Sequence, residues 1–155
     1  MANVSVKING KKITKEVADN MMLSDFLRDR LALTGTHVGC DTSQCGACVI
    51  HLDGNSVKSC TTLVVDCDGS EITTIEGLAS NGKMHPMQEA FKKHHGLQCG
   101  FCTPGMVMSA VDLLKNKKNP SDKEIRDWLE GNICRCTGYQ NIVAAVKEAA
   151  SKMKS

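Results

Sequence analysis

The sequence predicts an α+β chain with two small domains, the first rich in strands and the second helical. Up to about residue 76, short apolar runs alternate with polar residues and turn dipeptides, which is the pattern of strands and hairpins. From Glu76 onward, apolar residues recur at helical spacing behind capping signals. The 155 residues suit two small domains, which we place at residues 1–76 and 77–155.

A hairpin, a short helix and three further strands are predicted for the first domain. The hairpin turns at Asn9-Gly10, because both residue types tolerate positive φ angles, and Asp53-Gly54 marks a second turn. A Gly- and Cys-rich loop covers residues 35–48. In chain order, the predicted elements are strands through 4–8 and 13–17, a helix near 23–31, and strands at 49–52, 63–65 and 71–75.

About four helices are predicted for the second domain. Pro86 suits the first turn of the first helix, and Thr103 can cap the second, with Pro104 at its first position. Ser121 and Glu124 form a capping-box pattern at the start of the third. The apolar positions of the fourth are Ile142, Val143, Val146 and Ala149.

The composition excludes several classes of protein. With 19 basic and 17 acidic residues, the chain lacks the concentrated positive charge of a nucleic-acid binder. No apolar run approaches the length of a membrane span. The first residues lack the features of a secretory signal, so we expect a cytoplasmic protein, in which disulfides are rare. Nine cysteines in a reducing compartment favour metal ligation.

The first group of cysteines has the spacing of a plant-type [2Fe–2S] ferredoxin. Cys40, Cys45 and Cys48 form a C-x4-C-x2-C run, and Cys60 follows after eleven residues. Three thiolates on one tight loop can wrap one side of a cluster, while a fourth arrives from a separate segment. A structural zinc site is the alternative, although two CxxC pairs are more typical of zinc. Spacing alone also leaves Cys67 possible as the fourth ligand in place of Cys60.

A second group of four cysteines lies in the helical half. Cys99 and Cys102 form a CxxC pair, and Cys134 and Cys136 form a C-x-C pair. Alone, the first pair could be a redox dithiol or half of a zinc site. Together, the two pairs supply four thiolates from two loops between helices, enough for a second cluster. The remaining Cys67 is most simply a small buried apolar residue.

The other reactive residue types point to no catalytic site. Neither a Ser-His-Asp arrangement nor a phosphate-binding glycine loop is visible. The five histidines lack the paired Cys-His pattern of a Rieske centre, and we interpret them mainly as surface or packing residues. We therefore predict no catalytic residue on this chain.

Three motifs carry a resemblance to a known family. They are residues 39–48 (GCDTSQCGAC), 98–105 (QCGFCTPG) and 132–139 (NICRCTGY). They resemble the signatures of the iron–sulfur subunit of the molybdenum hydroxylases, the xanthine oxidase superfamily, over nearly the whole chain. Within that family, the sequence looks most similar to the small subunit of aerobic carbon monoxide dehydrogenase.

The resemblance implies a fold and a set of ligands. It implies a β-grasp, ferredoxin-like [2Fe–2S] domain followed by a four-helix [2Fe–2S]-binding domain. It assigns one set of cysteines to an outer cluster, another set to an inner cluster nearer molybdenum, and Gln98 to a contact with the pterin cofactor. The outer ligands are Cys40, Cys45, Cys48 and Cys60, and the inner ligands are Cys99, Cys102, Cys134 and Cys136.

The resemblance also implies a function and partners. The chain would be the electron-transfer subunit of an oxidoreductase, relaying electrons from molybdenum through both clusters to FAD. A large subunit would hold the molybdenum-pterin cofactor and a medium subunit the FAD, in a dimer of heterotrimers. The alternatives are a related hydroxylase for an N-heteroaromatic, an aldehyde or a purine, a free ferredoxin, and a structural zinc-binding module.

Overall fold

The computed structural model describes residues 1–153, and within them the first domain is built on a five-stranded mixed sheet. The strand order is β2-β1-β5-β3-β4, in which β1 and β5 pair parallel and the other neighbours pair antiparallel. The strands are β1 Ala2–Ile8, β2 Lys11–Val17, β3 Val49–Leu52, β4 Asn55–Lys58 and β5 Glu71–Thr73. The predicted turns at Asn9-Gly10 and Asp53-Gly54 are present, and all four residues have positive φ.

A short helix covers one face of this sheet. Helix α1, Leu23–Asp25, continues directly as a π-helical turn, Phe26–Arg30. The core between the helix and the sheet contains Leu23, Phe26, Leu27, Val4, Val6, Ile8, Ile50 and Ile72. The alternation of apolar and polar residues in β1 therefore places every second side chain in this core.

Four α-helices of the described chain form the second domain. They are α2 Pro86–Lys93, α3 Thr103–Asn116, α4 Asp122–Trp128 and α5 Gln140–Lys152. The predicted capping box is present, because the Ser121 side chain accepts from the Glu124 backbone and Glu124 binds the Ser121 N–H. Helix α2 has an unexpected cap, the imidazole of His85, which accepts the N–H of Met87 at 3.1 Å.

Two local predictions need correction, and one strand was not predicted. Residues 63–65 are not a strand, because the chain forms a 3₁₀ turn at Val64–Cys67 that packs Val64 and Cys67 into the sheet core. Strand β4 was not predicted, since its burial is partial and shows no alternation. Thr103 does not cap α3: it is the first helical residue behind Cys102.

The two domains meet where α3 lies against β3 and β4. His51 of β3 is buried and its Nε2 lies 2.8 Å from the carbonyl oxygen of Met108. The Asp112 carboxylate, 4% exposed, accepts from both the N–H and the hydroxyl of Ser56, at 2.9 and 2.6 Å. This polar seam fixes the helical domain on the sheet, while the domain limits at residues 76 and 77 remain a prediction.

None of the helices in the described chain is long and apolar enough to cross a membrane.

Candidate metal centres

The loop between Cys40 and Cys48 surrounds one cysteine sulfur with backbone donors. Asp41, Ser43 and Gly46 have positive φ, so the chain winds tightly between Cys40 and Cys48. As a result, three N–H groups converge on Cys40 Sγ, at distances of 3.3–3.4 Å; they belong to Thr42, Gln44 and Cys45. A further N–H, from Ala47, reaches Cys45 Sγ at 3.5 Å.

Cys60 is held against this loop from a second segment. It lies in a 3₁₀ turn directly after β4, and the Ser59 hydroxyl donates to the carbonyl of Cys48 at 2.7 Å. The Lys58 ammonium donates to the Ser43 carbonyl at 2.7 Å. The Cys60 thiol consequently lies within hydrogen-bonding reach of Cys48, with Cys40 close by.

Cys67 occupies a different environment. Its side chain is fully buried in the core of the sheet, and its Sγ donates to the Leu63 carbonyl at 3.4 Å. Burial raises the pKa of this thiol. Spacing alone had not excluded Cys67 in place of Cys60, and the fold brings Cys60 to the cysteine loop.

The thiols of this first tetrad differ in how readily they ionise. Hydrogen bonds from the Thr42 hydroxyl and from the surrounding backbone N–H groups lower the pKa of Cys40 to about 6. Burial raises the pKa of Cys60 to about 11. Because a metal binds thiolate and displaces the proton, an electropositive loop beside buried thiols suits metal ligation.

The second tetrad is assembled from the loops before α3 and before α5. The thiols of Cys102 and Cys134 lie within hydrogen-bonding reach of each other, as do those of Cys99 and Cys136. Cys134 is buried, whereas Cys99 and Cys136 are exposed. The tetrad therefore has one side in the helical core and one side at the protein surface.

Thr137 and Tyr139 support the buried side of the second tetrad. The Thr137 hydroxyl lies 3.1 Å from Cys134 Sγ, and the N–H of Cys134 donates to the Tyr139 hydroxyl at 2.9 Å. Burial works against ionisation of Cys134, yet Thr137 and nearby backbone N–H groups leave its pKa below the ordinary value. The sequence motif contained both residues, but spacing gave no indication of these contacts.

Burial and the neighbouring thiol of Cys134 raise the pKa of Cys102 to about 12. In contrast, the N–H of Phe101 and the thiol of Cys136 lower the pKa of the exposed Cys99. Each tetrad thus pairs thiols that ionise readily with thiols that need a metal to lose their protons.

The two tetrads touch through backbone. The N–H of Ile133 donates to the carbonyl of Cys45 at 2.8 Å, and the Asn132 amide donates to the Gly46 carbonyl at 3.2 Å. A side chain at Gly46 would place its Cβ 2.2 Å from the carbonyl oxygen of Gly131. A Cβ on Gly105 would lie 2.1 Å from the Gly46 carbonyl oxygen. Glycine at both positions therefore permits the close approach of the cysteine loops.

The donor sets fit binuclear iron–sulfur clusters. A [2Fe–2S] cluster divides four thiolates between two irons and accepts hydrogen bonds at its sulfurs. Paired thiols with inward-pointing N–H groups match that requirement at both tetrads.

The remaining residues singled out in the sequence lie at varied positions. Gln98 is exposed, directly before Cys99. His94 contacts Glu148, and His95 lies exposed on the surface. Contrary to the interpretation of the histidines as mainly surface or packing residues, His37 and His51 make specific hydrogen bonds between the domains.

Comparison with known proteins places both tetrads in known domain families. Residues 6–78 match the family described as a 2Fe-2S iron-sulfur cluster binding domain, and residues 74–147 match a [2Fe-2S] binding domain. Caffeine dehydrogenase subunit gamma of Pseudomonas sp. (strain CBB1) is 49% identical over 150 residues, covering 95% of this chain and 90% of that one. The chain belongs to the iron–sulfur subunits of the molybdenum hydroxylases.

Solved structures agree with this assignment. Quinoline 2-oxidoreductase from Pseudomonas putida 86 superimposes with a TM-score of 0.94 at 43% identity, covering 97% of this iron–sulfur subunit and 94% of that chain. Aldehyde oxidoreductase from Desulfovibrio gigas gives a TM-score of 0.93 at 45% identity, but the match covers 17% of its chain. The same two-domain unit thus occurs both as a separate subunit and as part of a longer chain. The present chain is an electron-transfer subunit of an oxidoreductase, and it has two [2Fe–2S]-binding domains.

Proposed function

We propose that this subunit relays single electrons from a molybdenum-pterin site on a large partner subunit to FAD on a medium one. The observation that supports this most directly is the contact between the tetrads. The hydrogen bond from the Ile133 N–H to the Cys45 carbonyl joins the residue before Cys134 to a cysteine of the first loop. It provides a continuous path of covalent bonds and one hydrogen bond from one tetrad to the other.

The cysteines keep the roles that the family resemblance implies. We propose Cys40, Cys45, Cys48 and Cys60 as ligands of the outer [2Fe–2S] cluster, and Cys99, Cys102, Cys134 and Cys136 as ligands of the inner one. When bound, each cluster supplies a one-electron carrier. The protein contributes the thiolates, the N–H groups that withdraw electron density from sulfur, and partial burial. This role requires no acid, base or nucleophile from the chain.

The exposed side of the inner tetrad is our candidate for the face toward molybdenum. Cys99 and Cys136 are exposed there, and Gln98 is exposed beside them. Gln98 carries one amide with two donors and an acceptor. We propose that it contacts the pterin cofactor of the large subunit through this amide.

The substrate is decided by the large subunit, and several candidates remain. The motif resemblance favours carbon monoxide. The names of caffeine dehydrogenase and quinoline 2-oxidoreductase favour an N-heteroaromatic compound, and that of aldehyde oxidoreductase favours an aldehyde. We also retain the dimer of heterotrimers as the assembly, and a cytoplasmic location, where eight thiols stay reduced until they bind metal.

Iron analysis and EPR of the chain purified without oxygen test the ligand assignment. After reduction with dithionite, we expect two distinct [2Fe–2S] signals and about four irons per chain. Cys60→Ala should lose the outer signal and about half of the iron. Cys67→Ala is its matched control, because that thiol is buried in the sheet core, and it should keep both signals. An outer signal that survives Cys60→Ala but not Cys67→Ala would reverse the assignment.

Stoichiometric zinc without any EPR signal would contradict the redox function itself and leave a structural zinc module. In the assembled complex, Cys102→Ser should stop electron flow to the acceptor while substrate still binds at molybdenum. Assaying the wild-type complex with carbon monoxide, with quinoline and with an aldehyde then distinguishes the substrate candidates.

A further inference from the structure

The CxxC loop of the inner tetrad lies on the surface of its own domain. Cys99 is exposed and Phe101 is 48% exposed. Within the helical domain, the loop is held at its end by the hydrogen bond from the Thr103 N–H to the Gly100 carbonyl, at 3.3 Å. An exposed loop of this kind can be held further by a contact from the neighbouring domain.

His37, from the other domain, supplies such a contact. Its Nδ1 lies 2.8 Å from the carbonyl oxygen of Phe101. Because a carbonyl only accepts hydrogen bonds, Nδ1 carries the hydrogen. The imidazole also stacks on the Phe101 ring, with the ring centroids 4.7 Å apart and the planes inclined by 24°. His37 lies three residues before Cys40, so this contact joins the two cysteine loops.

The carbonyl that His37 binds lies between two cysteines of the inner tetrad. It belongs to the peptide unit that joins Phe101 to Cys102. The N–H of this unit, that of Cys102, lies close to the Cys102 sulfur. The preceding N–H, that of Phe101, lies 3.5 Å from Cys99 Sγ. A donor on a peptide carbonyl polarises the N–H of the same unit and strengthens the hydrogen bond that this N–H makes.

We propose that His37 is a positioning residue for the inner cluster: it clamps the CxxC loop through the Phe101 carbonyl and ring, and strengthens hydrogen bonding to the cluster ligands. This rests on the proposed function, since it requires the inner tetrad to hold a cluster. The proposal predicts the sign of a change in reduction potential. Losing the clamp should lower the reduction potential of the inner cluster, because fewer donors then stabilise its reduced, more negative state.

Three substitutions separate the two contacts of His37. His37→Asn keeps an amide donor near the Nδ1 position and loses the ring. His37→Phe keeps a ring for stacking and loses the donor, and His37→Leu loses both. His95→Asn is the matched control, because His95 is an exposed histidine with a φ of +53°, which asparagine tolerates.

Redox titration followed by EPR, on the chain loaded with both clusters, measures the effect. In His37→Leu, we expect the inner midpoint potential to fall and the inner line shape to change, while the outer signal keeps its potential. In His37→Asn, the inner midpoint potential should return most of the way to the wild-type value. His95→Asn should match the wild-type chain. Hydrogen exchange gives an independent readout: the amides of residues 99–103 should exchange several-fold faster in His37→Leu.

The outcomes separate this proposal from the proposed function. A wild-type chain without two [2Fe–2S] signals contradicts the proposed function. Two intact signals, with potentials and exchange rates unchanged in His37→Leu, overturn the role of His37 and leave the proposed function standing. Equal shifts of both clusters also overturn it, because they would indicate general loosening rather than a clamp on one loop.

Discussion

A threonine hydroxyl lies beside one cysteine sulfur in each tetrad. At Cys40, the Thr42 hydroxyl acts together with three backbone N–H groups. At Cys134, the Thr137 hydroxyl lies 3.1 Å from the sulfur and lowers the pKa of the thiol. A substitution of Thr137 should therefore change the electronics of the inner cluster and leave the outer cluster unaffected.

Thr137→Val tests this effect at the residue scale. Valine keeps the shape of threonine but removes the hydroxyl beside Cys134 Sγ, so the inner reduction potential should fall. A hydrogen bond of about 1 kcal/mol corresponds to a shift of up to roughly 40 mV in a one-electron couple. Potentiometric EPR measures the shift, and Thr137→Ser, which keeps the hydroxyl, should remain near the wild-type value. A fall of the same size in the outer potential would contradict the local explanation.

At the scale of elements, the contact between the cysteine loops depends on close backbone packing. Gly46 is at the point of contact, with φ at +76° and the Gly131 carbonyl where a Cβ would lie. Gly105 brings the start of α3 against the other side of the same residue. The loops meet because neither glycine has a side chain.

Gly46→Ala should destabilise the chain more than the same substitution at another glycine with a similar positive φ. Gly69 has a φ of +79° with nothing within 4 Å of its potential Cβ, so Gly69→Ala measures backbone strain alone, about 1–2 kcal/mol. Gly46→Ala adds overpacking of about 1–3 kcal/mol. Denaturant unfolding of both variants gives the difference. Equal losses of stability would mean that the loops separate easily and that the close contact is unimportant.

At the scale of the whole molecule, two apolar cores are joined by a polar seam. One core lies between the sheet and α1, and the other inside the helical bundle. Between them, Asp112 accepts from Ser56 and from the Asn116 amide. A buried carboxylate with several donors is costly to disturb, because removing it leaves those donors without an acceptor. The seam therefore fixes how the domains sit together.

Asp112→Ala should loosen the domain arrangement, at a cost of about 3 kcal/mol in the free energy of unfolding. Asp127→Ala is the matched control, because its pair with Lys123 is exposed and contributes less than about 1 kcal/mol. Thermal unfolding and limited proteolysis measure the stability, and the magnetic interaction between the two clusters reports their separation. Unchanged proteolysis in Asp112→Ala would show that the apolar contacts alone hold the domains together.

The sequence by itself determined the order of the domains, the hairpin at Asn9-Gly10, the helix start at Ser121 and the grouping of the cysteines by motif. These features follow from local rules, because turn geometry, capping and ligand spacing act over a few residues. Strand β4 and the 3₁₀ turn at Val64–Cys67 were not predicted, because packing against distant residues decides their conformation.

The tertiary structure alone decided which residues far apart in the sequence meet. It placed Cys60 beside Cys48 and Cys67 in the sheet core, although spacing permitted either near the loop. It also brought His37 to Phe101, 64 residues away. No local rule contains such contacts. The positions of Cys60 and Cys67 depend on the packing of the sheet domain, and the contact of His37 depends on how the helical domain docks on it.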